Sequence, residues 1–106
     1  MTRPPYPVID VHAHIMPWDQ IRPDASATMS KRPDFADVLA ISSDPDRLIE
    51  YMDTCGVSHT VLINYLSPDV VGFTEETNAY SAIMARSYPD RLIPFGGIDP
   101  RRIQTR

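Results

Sequence analysis

The chain has 106 residues, of which 42% are hydrophobic and 23% charged, a composition typical of one small globular domain. Its formal net charge is −4 and its ten Lys and Arg residues are scattered, so no nucleic-acid partner is expected. No apolar run approaches the roughly 20 residues that span a bilayer, and no membrane partner is expected either. The single cysteine, Cys55, excludes an internal disulfide and favours a reducing, cytoplasmic location.

Three apolar segments have the pattern of β-strands. These strands are predicted near residues 7–14, 59–66 and 91–98. In the first strand, alternation of polar and apolar residues places Asp10, His12 and His14 on one face. The second segment is β-branched and too short for a helix, which favours a buried strand.

Two helices are predicted between these strands, over residues 45–55 and 74–87. The first helix begins with Asp44 as N-cap and Pro45 at the first helical position. Gly56 supplies its stop signal. The second begins at Thr74, which is followed by two acidic residues at the positive end of the helix dipole.

Residues 17–43 are interrupted by polar and Pro-marked breaks and are predicted to form a long connection, with one short helix near 34–41. Such long loops often act as functional lids. The order strand, helix, strand, helix, strand predicts an α/β fold with a parallel sheet and both helices on one side. A (β/α)₈ TIM barrel needs ~250 residues, or roughly 30 per unit, and this parallel βαβαβ segment matches its first part.

The most informative motif is the pair His12 and His14 at the end of the first predicted strand. Residues two apart on a strand point the same way, so both imidazoles can approach one metal ion. The carboxyl ends of the strands are also the edge at which α/β barrels carry their active sites. A bare His-x-His also occurs by chance on protein surfaces, and its context decides between the two readings.

Three segments together resemble the amidohydrolase-related branch of the amidohydrolase superfamily, which contains metal-dependent decarboxylases and lactonases. They read VIDVHAHIMP at 8–17, YMDTCGV at 51–57 and YPDRLIPFGGIDP at 88–100. The resemblance covers nearly the whole chain, and residues 1–106 correspond to the N-terminal part of such a barrel domain.

This resemblance implies that His12 and His14 hold a divalent metal ion, with zinc favoured and manganese as the other option. It implies a hydrolase or decarboxylase acting on a carboxylated or cyclic small molecule. The family adds metal ligands after later strands, which these 106 residues do not include. We therefore expect weak metal binding and no appreciable turnover from this chain alone.

Four other residues are weighed as parts of the site. Asn64 and Tyr65 close the second predicted strand and could contact a substrate, although capping of the local backbone is an equal reading. Trp18 could line a pocket or serve loop packing. Asp10 could orient a metal ligand by a hydrogen bond, or instead satisfy backbone amides. His59 opens the second strand, at the opposite edge of the sheet, and is predicted to have a surface or structural role.

Two alternatives remain open at this point. Metal-dependent phosphoesterases and DNases also begin a barrel with His-x-His, although they need basic or additional acidic and histidine residues nearby. A non-catalytic truncated module is the other alternative. Apolar side chains on strands that would line a closed barrel, including Val8, Leu62 and Phe95, are expected to be exposed, which favours self-association or a homo-oligomer.

Overall fold

The structure is a computed structural model that describes residues 4–102, apart from the side chains of Asp19 and Arg102. A three-stranded sheet lies at its centre. Its strands are β1 (Ile9–Ala13), β2 (His59–Ile63) and β3 (Leu92–Phe95). They lie in the order β1-β2-β3 and both pairings are parallel, which confirms the predicted parallel α/β fold.

The described part of the chain contains four α-helices besides the sheet. They are α1 (Pro23–Met29), α2 (Phe35–Ser43), α3 (Pro45–Cys55) and α4 (Thr77–Arg86). The predicted bounds of α3 are confirmed. The helix starts where predicted because the Asp44 carboxylate caps it, accepting a hydrogen bond from the Asp46 amide at 2.9 Å. Gly56 ends the helix with φ at 74°, a left-handed conformation that glycine adopts at little cost.

Helices α3 and α4 pack on the same side of the sheet, as predicted. The buried side chains of this core are Leu48, Ile49, Met52, Leu62, Met84, Ala85 and Leu92. Leu62 lies in the central strand and has 0% exposure. The expectation that Leu62 would be exposed is therefore wrong, because its side chain faces the helices.

The prediction of a long loop over residues 17–43 is wrong, because most of this stretch is helical. Pro23 stands at the first position of α1, where its missing N–H costs no hydrogen bond, so it starts this helix. Helix α2 spans Phe35–Ser43, close to the one short helix that the sequence predicted. Proline is therefore a helix-start signal here as well as a break.

Three predicted element boundaries are also wrong. Helix α4 begins at Thr77, three residues after the predicted start. The preceding residues form a turn, in which the Thr77 amide donates to the Thr74 carbonyl at 3.0 Å. Strand β2 ends at Ile63 and strand β3 ends at Phe95, each three residues before the predicted end. Two glycines follow β3 directly, and glycine is disfavoured in strands.

A second apolar cluster lies between the segments that follow β1 and β2. Its buried members are Met16, Ile21 and Phe73. The Arg22 amide donates to the Val71 carbonyl at 2.9 Å, so the two segments are joined by backbone as well as by packing. These segments follow the carboxyl ends of β1 and β2. The candidate site lies at the same ends of these two strands.

The outer parts of the sheet leave several large apolar side chains exposed. Phe95 is 52% exposed, as the sequence led us to expect, and Val11 is 68% exposed. Val8 is half-buried. Among residues 4–102, no helix has the length and apolar character needed to span a membrane.

The core predicts a large stability loss for Leu62→Ala. Removing a fully buried leucine side chain leaves a cavity, and we expect the free energy of unfolding to fall by about 2–5 kcal/mol. Chemical denaturation followed by circular dichroism measures this change. Val70→Ala is the control, because Val70 is 62% exposed and the substitution should change stability by no more than about 0.5 kcal/mol. Equal losses in both variants would contradict this assignment of the core.

Candidate metal centre

The two histidines of the His-x-His motif meet at the carboxyl end of β1. His12 lies within the strand and His14 directly follows its last residue. Their ring centroids are 4.8 Å apart with the planes nearly perpendicular. The two Nε2 atoms lie 3.1 Å apart, so both rings are on the same side of the strand, as their spacing predicted.

The other ring nitrogen of His14 is held by the neighbouring strand. Its Nδ1 lies 2.9 Å from the carbonyl oxygen of Ile63, the last residue of β2. A carbonyl can only accept a hydrogen bond, so Nδ1 of His14 carries the proton. In the neutral ring, Nε2 then has a free lone pair, which is the state that a metal ligand requires.

The geometry and chemistry of the pair fit two ligands of one divalent metal ion. Two imidazole nitrogens that each lie about 2.0–2.1 Å from a zinc ion are themselves separated by roughly 2.8–3.4 Å at bond angles between octahedral and tetrahedral. The observed 3.1 Å falls within this range. Within the described residues, no group of three or more His, Cys, Asp or Glu side chains is placed to hold a metal ion.

Asp10 contacts the backbone rather than an imidazole ring. Its carboxylate accepts a hydrogen bond from the His12 amide at 3.0 Å. Asp10 is paired with Thr60 and Ala13 with Leu62, so three steps along β1 match two along β2. The strict alternation predicted for β1 is therefore wrong between these positions. Of the two readings of Asp10, the structure favours support of the backbone at this irregularity.

Asn64 is buried, and both polar atoms of its side-chain amide are engaged. Its Nδ2 donates to Oδ1 of Asn78, and its Oδ1 accepts a hydrogen bond from the Thr77 hydroxyl at 2.8 Å. Only 8% of Asn64 is exposed. The structure therefore gives Asn64 a role in joining β2 to α4, whereas the sequence suggested substrate contact or local backbone capping.

Tyr65 and Trp18 lie in different surroundings. The Tyr65 ring lies beside His14, with 5.4 Å between ring centroids, and 40% of the residue is exposed. Tyr65 is thus at the candidate site. Trp18 packs against Phe73 with ring centroids 5.5 Å apart, which matches the loop-packing reading. Its Nε1 is buried and has no hydrogen-bond partner among residues 4–102.

His59 lies at the start of β2, as predicted from the sequence. Four residue steps separate it from Ile63, or roughly 13 Å along the strand. Its Nδ1 is 2.9 Å from the hydroxyl of Ser58. It is therefore remote from the histidine pair and offers a matched control for it.

Two groups that shape the site, the Ile63 carbonyl and Asn78, are not predicted from the sequence. A backbone carbonyl has no residue type that would signal its role. Asn78 lies in the first turn of α4, and asparagine is less favourable inside a helix than at its cap. This unusual position is the one signal in the sequence that could have pointed to a role for Asn78.

Comparison of the chain with protein-family models gives no match. Comparison with curated proteins gives none either. No solved structure matches the chain. The class established by the structure is an α/β protein with a three-stranded parallel sheet, and the resemblance of the three sequence segments remains an interpretation of the sequence.

The contact between His14 and Ile63 predicts one tautomer of His14. In metal-free protein at a pH where the ring is neutral, we expect the proton to reside on Nδ1. Imidazole nitrogen chemical shifts, measured by NMR on histidine-labelled protein, distinguish the two tautomers. The variant His12→Ala should leave this tautomer unchanged, since the carbonyl that fixes it lies on β2. A ring protonated mainly at Nε2 would contradict the arrangement.

Proposed function

We propose that the chain belongs to a metal-dependent hydrolase or decarboxylase of the amidohydrolase superfamily, with His12 and His14 as metal ligands. The observation that supports this most strongly is the approach of their Nε2 atoms to 3.1 Å at the carboxyl end of a parallel strand. The hydrogen bond of His14 to the Ile63 carbonyl adds to it, because it leaves Nε2 available.

The proposed metal ion is zinc, with manganese as the alternative. Imidazole nitrogen suits zinc and related transition metals better than it suits magnesium or calcium. Such an ion polarises a substrate carbonyl or carboxylate, or lowers the pKa of a bound water. The chain's own contribution is to hold His12 and His14 at a fixed separation and to place Tyr65 beside them.

The proposed substrate is a carboxylated or cyclic small molecule, as the resemblance to the decarboxylase and lactonase family implies. We place the three parallel strands as the first part of a (β/α)₈ barrel. In such barrels the loops after each strand build the active site, so Tyr65, which follows β2, is a candidate for substrate contact. Further ligands would come from later strands of the same barrel.

Zinc titration followed by calorimetry tests the proposed ligands. We expect weak binding of one ion per chain, because two histidines are fewer than the three protein ligands usual in catalytic zinc sites. His12→Ala and His14→Ala should each weaken zinc binding by more than about tenfold. Losing a residue that only orients a metal ligand already weakens binding by about tenfold or more, and losing the ligand itself should weaken it further. His59→Ala is the matched control and should bind zinc like the original chain, since it removes the histidine at the other edge of the sheet.

Two results would count against the proposal. Zinc affinity that survives in both His12→Ala and His14→Ala would remove its basis, and so would an equal loss in His59→Ala.

The 106-residue chain alone should show no appreciable lactone hydrolysis or release of CO₂ from carboxylated substrates. Measurable turnover of a phosphodiester would instead indicate the phosphoesterase class.

A further inference from the structure

The carbonyl that orients His14 belongs to the last peptide unit at the end of β2. The Ile63 carbonyl and the Asn64 amide are parts of one planar group, so the direction of the carbonyl is fixed by the positions of both residues. The paired register of β2 and β3 ends at Ile63 and Phe95. Beyond Ile63, contacts other than the strand ladder must therefore hold Asn64 in place.

Side chains of α4 supply these contacts. Asn64 donates through Nδ2 to Oδ1 of Asn78 and accepts from the Thr77 hydroxyl at 2.8 Å. Because Asn64 is only 8% exposed, these hydrogen bonds face little competition from water. The first turn of α4 thus fixes the residue that follows the orienting carbonyl.

Asn78 also binds the segment that follows β3. Its Oδ1 accepts from the Gly97 amide at 2.8 Å, and its Nδ2 donates to the Gly97 carbonyl at 3.1 Å. The backbone of Gly97 lies so close to Asn64 that a Cβ atom at position 97 would be 3.3 Å from Cβ of Asn64. One side chain, Asn78, therefore joins the carboxyl ends of β2 and β3 to α4.

We propose that Asn78 is a positioning residue for His14. It holds Asn64, and through the Ile63–Asn64 peptide it holds the carbonyl that keeps the proton of His14 on Nδ1. The inference rests on the proposed function only where metal binding is concerned. The effect on the tautomer of His14 follows from the contacts alone and can be measured without any metal.

A set of four variants separates positioning from a general loss of stability. Asn78→Ala removes every contact of this side chain. Asn78→Asp loses the Nδ2 donor to the Gly97 carbonyl but keeps Oδ1, which accepts from Gly97 and Asn64. Its charge lies near the start of α4, where the helix dipole favours it. Asn64→Asp keeps the acceptor for Thr77 but loses the Nδ2 donor. Ala85→Gly loosens α4 from a buried position of the core and leaves these contacts intact.

The first readout is the tautomer of His14 in metal-free protein, measured from its ring nitrogen shifts. We expect Asn78→Ala and Asn64→Asp to convert the single Nδ1-protonated ring to a mixture of tautomers. Asn78→Asp and Ala85→Gly should keep the original tautomer. The second readout is zinc affinity, which should fall by about tenfold in the first two variants and change little in the others.

An unchanged His14 tautomer in Asn78→Ala would overturn the inference, and so would an equal change in Ala85→Gly. If Asn78→Ala does not fold, Asn64→Asp and Asn78→Asp decide the matter, because only the former breaks the link between Asn64 and Asn78. Failure of the original chain to bind zinc would overturn the proposed function. The tautomer readout would still decide the positioning role of Asn78.

Discussion

Parallel pairing of β1 with β2 requires the chain to cross from the carboxyl end of one strand back to the amino end of the next. That crossing contains α1, α2 and α3, and the apolar side of α3 packs on the sheet. It also brings the carboxyl ends of both strands to one edge. His14 is 49 residues from Ile63 in the sequence, and it meets Ile63 and Tyr65 because of this single constraint.

The irregularity in β1 is coupled to the same edge. A regular strand would keep every second side chain on one face, and the register of β1 shifts between Asp10 and Ala13, a span that contains His12. The Asp10 carboxylate supports the shifted backbone by accepting the His12 amide hydrogen. Irregularities of this kind can re-aim side chains, and His12 lies within this one.

Local signals in the sequence were sufficient for some elements and insufficient for others. The bounds of α3 could be predicted because Asp44, Pro45 and Gly56 act on the backbone within a few residues of their own positions. Helix α1 is not among the predicted elements because the prolines of residues 17–43 indicate breaks, although proline at a first helical position, as at Pro23, starts a helix.

The contacts of the candidate site also fall into those that the sequence predicts and those that it does not. The meeting of His12 and His14 follows from a spacing of two and could be predicted. The engagement of Asn64 could not, because it depends on Asn78 and Gly97, which reach it only through tertiary structure. Contacts of this kind leave no periodic pattern in a single sequence.

The histidine pair itself shows how a proton and a metal ion compete for one position. With its Nδ1 proton given to the Ile63 carbonyl, neutral His14 can only accept at Nε2. The neighbouring Nε2 of His12, 3.1 Å away, must therefore donate a proton to it when no cation is present. A metal ion between the rings would require a lone pair on each Nε2, so neutral His12 would have to carry its proton on Nδ1 instead. The position that a metal ion would take between the rings is thus the position of the proton that His12 donates to His14.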